Sequence, residues 1–393
     1  MSSNDWKEFK LSDICQIKYG RDHKNLDNGN IPVYGSGGIM RYVDSFIYDK
    51  PSVLIPRKGT LSNLFLVSEK FWTVDTLFWT IIDETIVSPE FLYYQLLTKN
   101  LVDMNVGSAV PSLTTTLLNE LRLKIPSLKT QSSISGILSS LDEKVKLNKK
   151  INKTLEDIAQ AIFKSWFVDF EKNKNDQFMS FADWEIPESY QYGRADRFFD
   201  ISIGKTPPRN ESKWFSISNN DIKWLSIADM GKGGVYSKKT SEYLTNEAIS
   251  KFNIKLVPSN TVMLSFKLTI GRVVISNDEM TTNEAIAHFK SKNQDIVEYM
   301  YLFLKNYEFS KLGSTSSIGT AINSKVVKSM PIYIPDEDTL QCFHNVVLPI
   351  FNKIMINQQE NDNLTEIRDT LLPKLMSGEI SVLNEEVSNA EVR

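Results

Sequence analysis

The sequence predicts an α+β protein: two mixed α/β domains separated by two long helices packed as an antiparallel coiled coil, with the whole arrangement duplicated about a pseudo-two-fold axis. Three observations carry this. Ile134, Leu138, Leu141, Val145, Asn148, Ile151, Leu155, Ile158 and Ile162 recur in steps of three and four, the spacing of a helical seam. The seam returns 209 residues later, without a gap, as Phe343, Val347, Ile350, Ile354, Asn357, Glu360, Leu364, Ile367 and Leu371; only the pair Ile151/Glu360 differs in character. The segments before each seam hold short β-rich runs, such as Ser52-Val53-Leu54-Ile55 and Thr261-Val262-Met263-Leu264, bounded by Pro and Gly.

The first domain is expected over 1–130, ending in an amphipathic helix around Phe91 to Leu97 and then Ile125-Pro126. A proline there suits a helix start, because its missing N–H is not needed. The first spacer helix follows over 131–172 and the second domain over 173–338, with its own amphipathic helix around Val297 to Leu304. Ile334-Pro335 precedes the second spacer helix, 339–380. Pro349 lies inside that helical pattern and should kink or shift it. Gly378 suits the C-cap. The tail, 381–393, carries Glu385, Glu386 and Glu391 and reads as disordered. The domains repeat loosely: Asp13-Ile14 matches Asp200-Ile201 at an offset of 187, and Gly107-Ser108 matches Gly313-Ser314 at 206. A repeat this long is a domain duplication rather than a solenoid. Asn148 and Asn357 fall at matching seam positions, where a polar residue can fix register; the alternative is a partly exposed Asn with no such role.

A chain of 393 residues supports two or three cores, and 41% hydrophobic with 24% charged residues is ordinary for a globular protein. No apolar run approaches a membrane span, and the polar start MSSNDWKEFK does not read as a signal peptide. Cys15 and Cys342 give no disulfide framework, so a cytoplasmic setting is expected; both read as small buried residues. The net charge of −3 excludes a protein that coats nucleic acid by bulk charge. Any DNA contact must come from a local basic surface.

Enzyme motifs are missing. The one Pro-Pro, Pro207-Pro208, stands between Thr206 and Arg209 and so forms no methyltransferase amine-binding loop. Gly204-Lys205-Thr206 matches the end of a phosphate-binding loop, but the Gly needed five residues earlier is Phe199. Three nuclease-like tripeptides, beginning at Asp142, Glu211 and Asp221, read as surface charges. His23, His288 and His344 are too scattered for zinc or a triad.

The ordered pieces resemble the specificity subunits of type I restriction–modification systems over essentially the whole chain. In the first domain they are Leu11-x-Asp13-Ile14, Val33-Tyr34-Gly35-Ser36-Gly37-Gly38, Val53 through Thr60, Phe71-Trp72-Thr73-Val74-Asp75-Thr76 and Gly107-Ser108-Ala109-Val110-Pro111-Ser112-Leu113. In the second they are Gly204 through Arg209, Ile222 through Met230, Val262 through Phe266, Thr269 through Arg272 and Thr282-Asn283-Glu284-Ala285-Ile286, with Leu371 through Ile380 closing the second helix. The resemblance implies a non-catalytic DNA-reading subunit with two target-recognition domains. Each would read one half of a bipartite duplex site, and the helices would set the gap. Two modification subunits, carrying S-adenosylmethionine, would methylate adenine N6; restriction subunits, where present, would add ATP- and Mg-dependent cleavage for phage defence. The 29 residues from 134 to 162 span about 43 Å at ~1.5 Å per residue, enough to carry two readers about one DNA turn apart.

DNA readers need cations for phosphates and for base edges. The candidates are Arg21, Lys24, Ser36, Arg41, Arg57, Lys58 and Thr60 in the first domain, and Lys205, Arg209, Lys213, Lys232, Lys267 and Arg272 in the second. The alternative for each is a solvated surface charge. Trp72 and Trp224 read as core. Spacer contacts are expected from Leu141, Val145, Asn148 and Leu155 with Ile350, Ile354, Asn357 and Leu364. Modification subunits are expected to dock partly on Trp166, Phe167, Leu375 and Met376, whose alternative is helix-pair core. The competing function is a coiled-coil adaptor that binds proteins and not DNA.

Overall fold

The computed structural model describes residues 6–105, 111–237, 239–312 and 322–382. Gly107 through Val110, Gly313-Ser314 and the acidic residues of the tail lie outside them. The chain forms two compact units, Met1–Lys146 with Asp362–Arg393, and Leu147–Asn361. The long helices, Leu128–Phe167 and Glu337–Ser377, are each shared between the two.

In unit 1, β1 (Lys7–Lys10) pairs antiparallel with β9 (Arg122–Ile125). A second sheet has the order β2-β8-β5-β6, from Cys15–Tyr19, Leu77–Ile82, Ser52–Pro56 and Phe65–Val67. A third has the order β4-β3-β7, from Gly38–Val43, Asn28–Gly35 and Trp72–Thr73, with β3 and β7 parallel. Every residue of β5 is buried, as expected of a central strand reading Ser-Val-Leu-Ile-Pro. The core joins Leu11, Ile14, Val53, Ile55 and Phe78 to Phe91 and Leu92 of the helix Pro89–Leu97, and to Ile134, Leu138, Leu372, Leu375 and Met376 of the long helices.

Unit 2 opens with the hairpin β10 (Phe178–Phe181) and β11 (Trp184–Pro187). It then repeats the plan of unit 1. β12 (Gln191–Arg194) pairs with β22 (Pro331–Ile334) as β1 pairs with β9. A five-stranded sheet has the order β13-β21-β18-β19-β16, from Asp200–Ile203, Ile286–Lys290, Val262–Ser265, Val273–Ser276 and Tyr236–Ser237. Its first four strands correspond to β2-β8-β5-β6. A four-stranded sheet has the order β14-β17-β15-β20, from Phe215–Ser216, Glu242–Leu244, Ile222–Leu225 and Thr281–Thr282. There β15 and β20 are parallel, as β3 and β7 are.

Within each unit the long helices run antiparallel. In unit 1 the Arg368 guanidinium donates to Asp142 at 2.6 Å, and the Tyr94 hydroxyl donates to the same carboxylate at 2.8 Å. Asp142 is therefore a bonded, half-buried group rather than a plain surface charge. In unit 2 Asn148 Nδ2 donates to Asn361 Oδ1 at 3.1 Å, and Asn357 Nδ2 donates to Asn152 Oδ1 at 2.8 Å. Each residue of the second bond lies 209 positions from one of the first, so the two bonds are related by the repeat. Asn148 also donates to Glu360 Oε2 at 2.7 Å, which explains why Glu360 breaks the apolar match with Ile151. Both seam asparagines are buried, with 1% exposure.

Several expectations need correction. Ile158 and Ile367 are exposed, and Ala159 with Phe163 takes the inward face instead. The helix Val297–Lys305 is buried at every residue from Val297 to Leu304, Glu298 included, so it is a core helix and not an amphipathic one. The second long helix continues through Pro349, which is exposed, leaving the carbonyl it cannot serve open to water. Cys342 is exposed; Cys15 alone is buried, and burial pushes its thiol up to about 12. Gly378 ends the helix at φ +77°, with Ile380 N–H donating to Lys374 O at 3.2 Å as in a helix C-cap.

Candidate nucleic-acid interface

In unit 1 the chain leaves β2 at Gly20, whose N–H donates to Leu77 O at 3.1 Å. A Cβ there would lie 2.0 Å from Val74 O, so only glycine lets the two segments meet. The next residue, Arg21, donates its N–H to Thr73 O at 2.8 Å, and its carbonyl accepts from Trp72 Nε1 at 3.0 Å. This pins the Arg21 backbone and leaves the side chain exposed. The loop after β5 is pinned to the same segment: Arg57 N–H donates to Thr76 O at 2.9 Å and Arg57 Nη1 to Asp75 O at 3.1 Å. Lys58 and Thr60 stand exposed on either side of Gly59, which has φ +89° and passes close to Ser36 Oγ. Asn63 Nδ2 donates to Ser36 O at 2.9 Å, tying in the β3–β4 turn. Five candidates, Arg21, Ser36, Arg57, Lys58 and Thr60, thus gather around Thr73–Thr76. Lys24 is exposed on the neighbouring loop, its N–H on Asp22.

Unit 2 builds the same rim. Gly204 N–H donates to Ile286 O at 3.1 Å, Lys205 N–H to Thr282 O at 3.0 Å, and Trp224 Nε1 to Lys205 O at 3.2 Å. Phe266 N–H donates to Ala285 O at 2.9 Å, 209 residues on from Arg57 and Thr76. Lys205 Nζ caps the helix Asn246–Phe252 through the carbonyls of Phe252 and Asn253, at 3.1 and 3.3 Å. Arg209 forms a forked pair with Glu242 at 2.8 and 3.0 Å while lying over Phe215 and Trp224. Lys213 faces Glu211 at 3.5 Å. Lys232 donates to Asp229 at 2.6 Å. Burial opposes the Asp229 charge, but hydrogen bonds from Lys232, Ser241 and Ser226 together outweigh it and hold the carboxyl down at about 2. The Lys213–Glu211 pair is exposed and weak, so a phosphate can replace its carboxylate, whereas Lys232 is held by a carboxylate whose side chain is only 1% exposed. Lys267 is exposed beside the Phe266 ring.

Three groups of candidates are engaged within their own unit. Arg41 donates to Leu26 O at 2.7 Å and its Nε is buried, so it ties β4 to the loop before β3. Arg272 donates to Ile227 O at 2.6 Å and packs on Gly231, so it holds a loop. Phe167, Leu375 and Met376 are buried and Trp166 packs on the unit 2 core; Phe167 meets Phe343 at 4.8 Å, and its carbonyl accepts from the Tyr333 hydroxyl. These helix ends are needed by their own domains. Sequence reading missed exposed apolar and aromatic side chains near the unit 1 rim: Tyr19, under Arg57, and Ile39, Met40 and Tyr42 on β4. A period-two pattern in which both faces carry large apolar groups was the available signal. Among the described residues, no group of three His, Cys, Asp or Glu is placed to hold a metal, and no helix is long and apolar enough to cross a membrane.

Each unit thus carries one pinned, cation-bearing rim, and the two rims follow one plan. The family model for the type I restriction modification DNA specificity domain matches residues 3–157 and 187–366. The chain belongs to this family: it is a specificity subunit, the non-catalytic component that determines DNA target recognition. It is 27% identical to the type I restriction enzyme HindI specificity subunit of Haemophilus influenzae, over 96% of this chain and 100% of that one. It is 29% identical to the MjaIX specificity subunit of Methanocaldococcus jannaschii, over 96% and 94%. The crystal structure of a type I system S subunit from M. genitalium shares the fold, with a TM-score of 0.58 at 16% identity over 95% of this chain and 97% of that one.

Proposed function

We propose that the chain directs adenine-N6 methylation at a bipartite duplex DNA site. Residues 1–130 read one half, residues 173–338 read the other, and the helices within 131–172 and 339–380 set the gap. The observation that carries this is the duplicated rim. Gly20-Arg21 and Gly204-Lys205 are pinned by equivalent bonds to Thr73 and Thr282, yet the exposed side chains differ. One backbone plan with two sets of side chains suits two unlike half-sites.

A second observation supports two modification subunits. The exposed apolar residues Ile137, Leu147 and Ile158 of the first long helix recur 209 residues later as Val346, Ile356 and Ile367 of the second, all exposed. Eleven residues are about three turns at ~3.6 residues each, so Leu147 and Ile158 form a stripe on the first helix, as Ile356 and Ile367 do on the second. Two equivalent apolar stripes fit two copies of one partner. S-adenosylmethionine would then reside on the modification subunits, and ATP and Mg on restriction subunits where the system has them, in a bacterial cytoplasm.

The test is duplex DNA binding by the complex with its modification subunits across a salt series. Neutralising Arg21 and Lys58 together should weaken binding and flatten the log–log salt slope by about two, roughly 0.9 per phosphate contact. Binding that ignores salt and both substitutions would favour the protein-adaptor reading.

A further inference from the structure

The loop joining β18 to β19 carries a residue that the fold does not account for. Leu268 is 96% exposed and has φ +61°. An L-residue in the left-handed region costs on the order of 1 kcal/mol, and an exposed leucine recovers none of it by burial. The loop is nonetheless well held. Ser265 Oγ donates to Thr269 O at 2.6 Å and accepts from Arg272 N–H at 3.0 Å, while Gly271 N–H donates to Ser265 O at 3.0 Å. Arg272, anchored on Ile227 O, fixes the far end.

The duplicate shows what this turn needs. Lys58-Gly59-Thr60 lies 209 residues before Lys267-Leu268-Thr269, after the corresponding strand, and both loops are pinned by equivalent bonds, from Arg57 to Thr76 and from Phe266 to Ala285. Gly59 has φ +89°, so both turns use the left-handed region at the same position. Unit 1 fills it with glycine, which suits that conformation. Unit 2 fills it with leucine and turns the side chain into solvent beside an exposed lysine.

We infer that Leu268 is a base-reading residue of unit 2, packing against an apolar base edge such as the C5-methyl of thymine, while Lys267 takes an adjacent phosphate. Apolar side chains discriminate thymine in this way in the major groove. Strain kept at an exposed position is the pattern of a group held ready for a ligand. The inference rests on the reading that each unit contacts one half of the site.

The experiment compares wild type, L268G and K267A, each assembled with its modification subunits. Methylated sites are mapped by sequencing, and affinity is measured on the duplex carrying the wild-type motif. Glycine suits φ +61°, so L268G should unfold no more easily than wild type. It should bind about tenfold more weakly and relax one base-pair position in one half of the motif, leaving the other half unchanged. K267A should weaken binding at every site and lower the salt slope by about one, without relaxing the motif. An L268G complex with unchanged affinity and motif overturns the inference, as does weaker binding with an unrelaxed motif. A wild-type complex that yields no bipartite motif instead overturns the half-site reading beneath it.

Discussion

His288 shows how one buried residue ties the unit 2 sheet to pH. It lies on β21, fully buried, with Nδ1 3.0 Å from Ser202 Oγ and Nε2 2.7 Å from Thr282 Oγ1. Burial first, and the Lys290 charge second, push its pKa down to about 3. The unfolded chain, with an ordinary histidine near 6.5, therefore binds the proton first as pH falls. The stability that His288 provides is complete above about pH 6.5 and declines below it, by at most about 1.4 kcal/mol per pH unit. Urea titrations between pH 7.5 and 5 should show wild type losing stability faster than His288→Gln; parallel losses would contradict this account. Sequence reading found this histidine unfit for catalysis, because no partner spacing suggested otherwise. Of its two hydroxyl partners, Ser202 lies 86 residues away and could not be read from spacing, while Thr282 stands six residues before it in no motif that marks the contact. Nor could spacing show that Arg41 and Arg272 bond the carbonyls of Leu26 and Ile227.

The long helices were the most legible elements, because period and duplication both report on them. Their flanks were less so. Steps of three and four place Ile158 and Ile367 near the seam, and only the packed helices show Ala159 and Phe163 taking the inward face. The asparagines of the seam bond across the helix pair, Asn148 to Asn361 and Glu360, and Asn357 to Asn152. Asn148→Ala removes two hydrogen bonds to half-buried partners and should cost about 1–2 kcal/mol by chemical denaturation; a loss under about 0.5 kcal/mol would mean that water replaces the amide. The outer stripes predict a different result. Ile158→Asp with Ile367→Asp should leave stability nearly unchanged, yet weaken assembly with the modification subunits more than tenfold by sedimentation. Unchanged assembly would place docking elsewhere. The rims were only half legible: Gly-rich turns and basic residues pointed to them, but the 209-residue register through Val53/Val262 and Thr73/Thr282 emerged from strand pairing.

For the molecule as a whole, duplication is the organising fact. Two units share one order of strands, and each long helix belongs to both. A ruler built this way makes a specific prediction. Inserting one heptad after Asn148 and another after Asn357 should lengthen the unread gap of the DNA motif and leave both half-sites unchanged; an unchanged gap would refute the ruler. The domain order was legible because chain order, composition and repeat agree. The bases read were not, since they depend on loop side chains such as Leu268 whose direction is a property of backbone conformation.

If this chain alone chooses the DNA site, methylation at that site depends on it. The most direct test is to express the modification subunit with and without it and to map N6-methyladenine by single-molecule sequencing. The expected result is a single bipartite motif that vanishes when this chain is omitted. A folded complex that leaves the genome unmethylated, or a motif that persists without the chain, would contradict it.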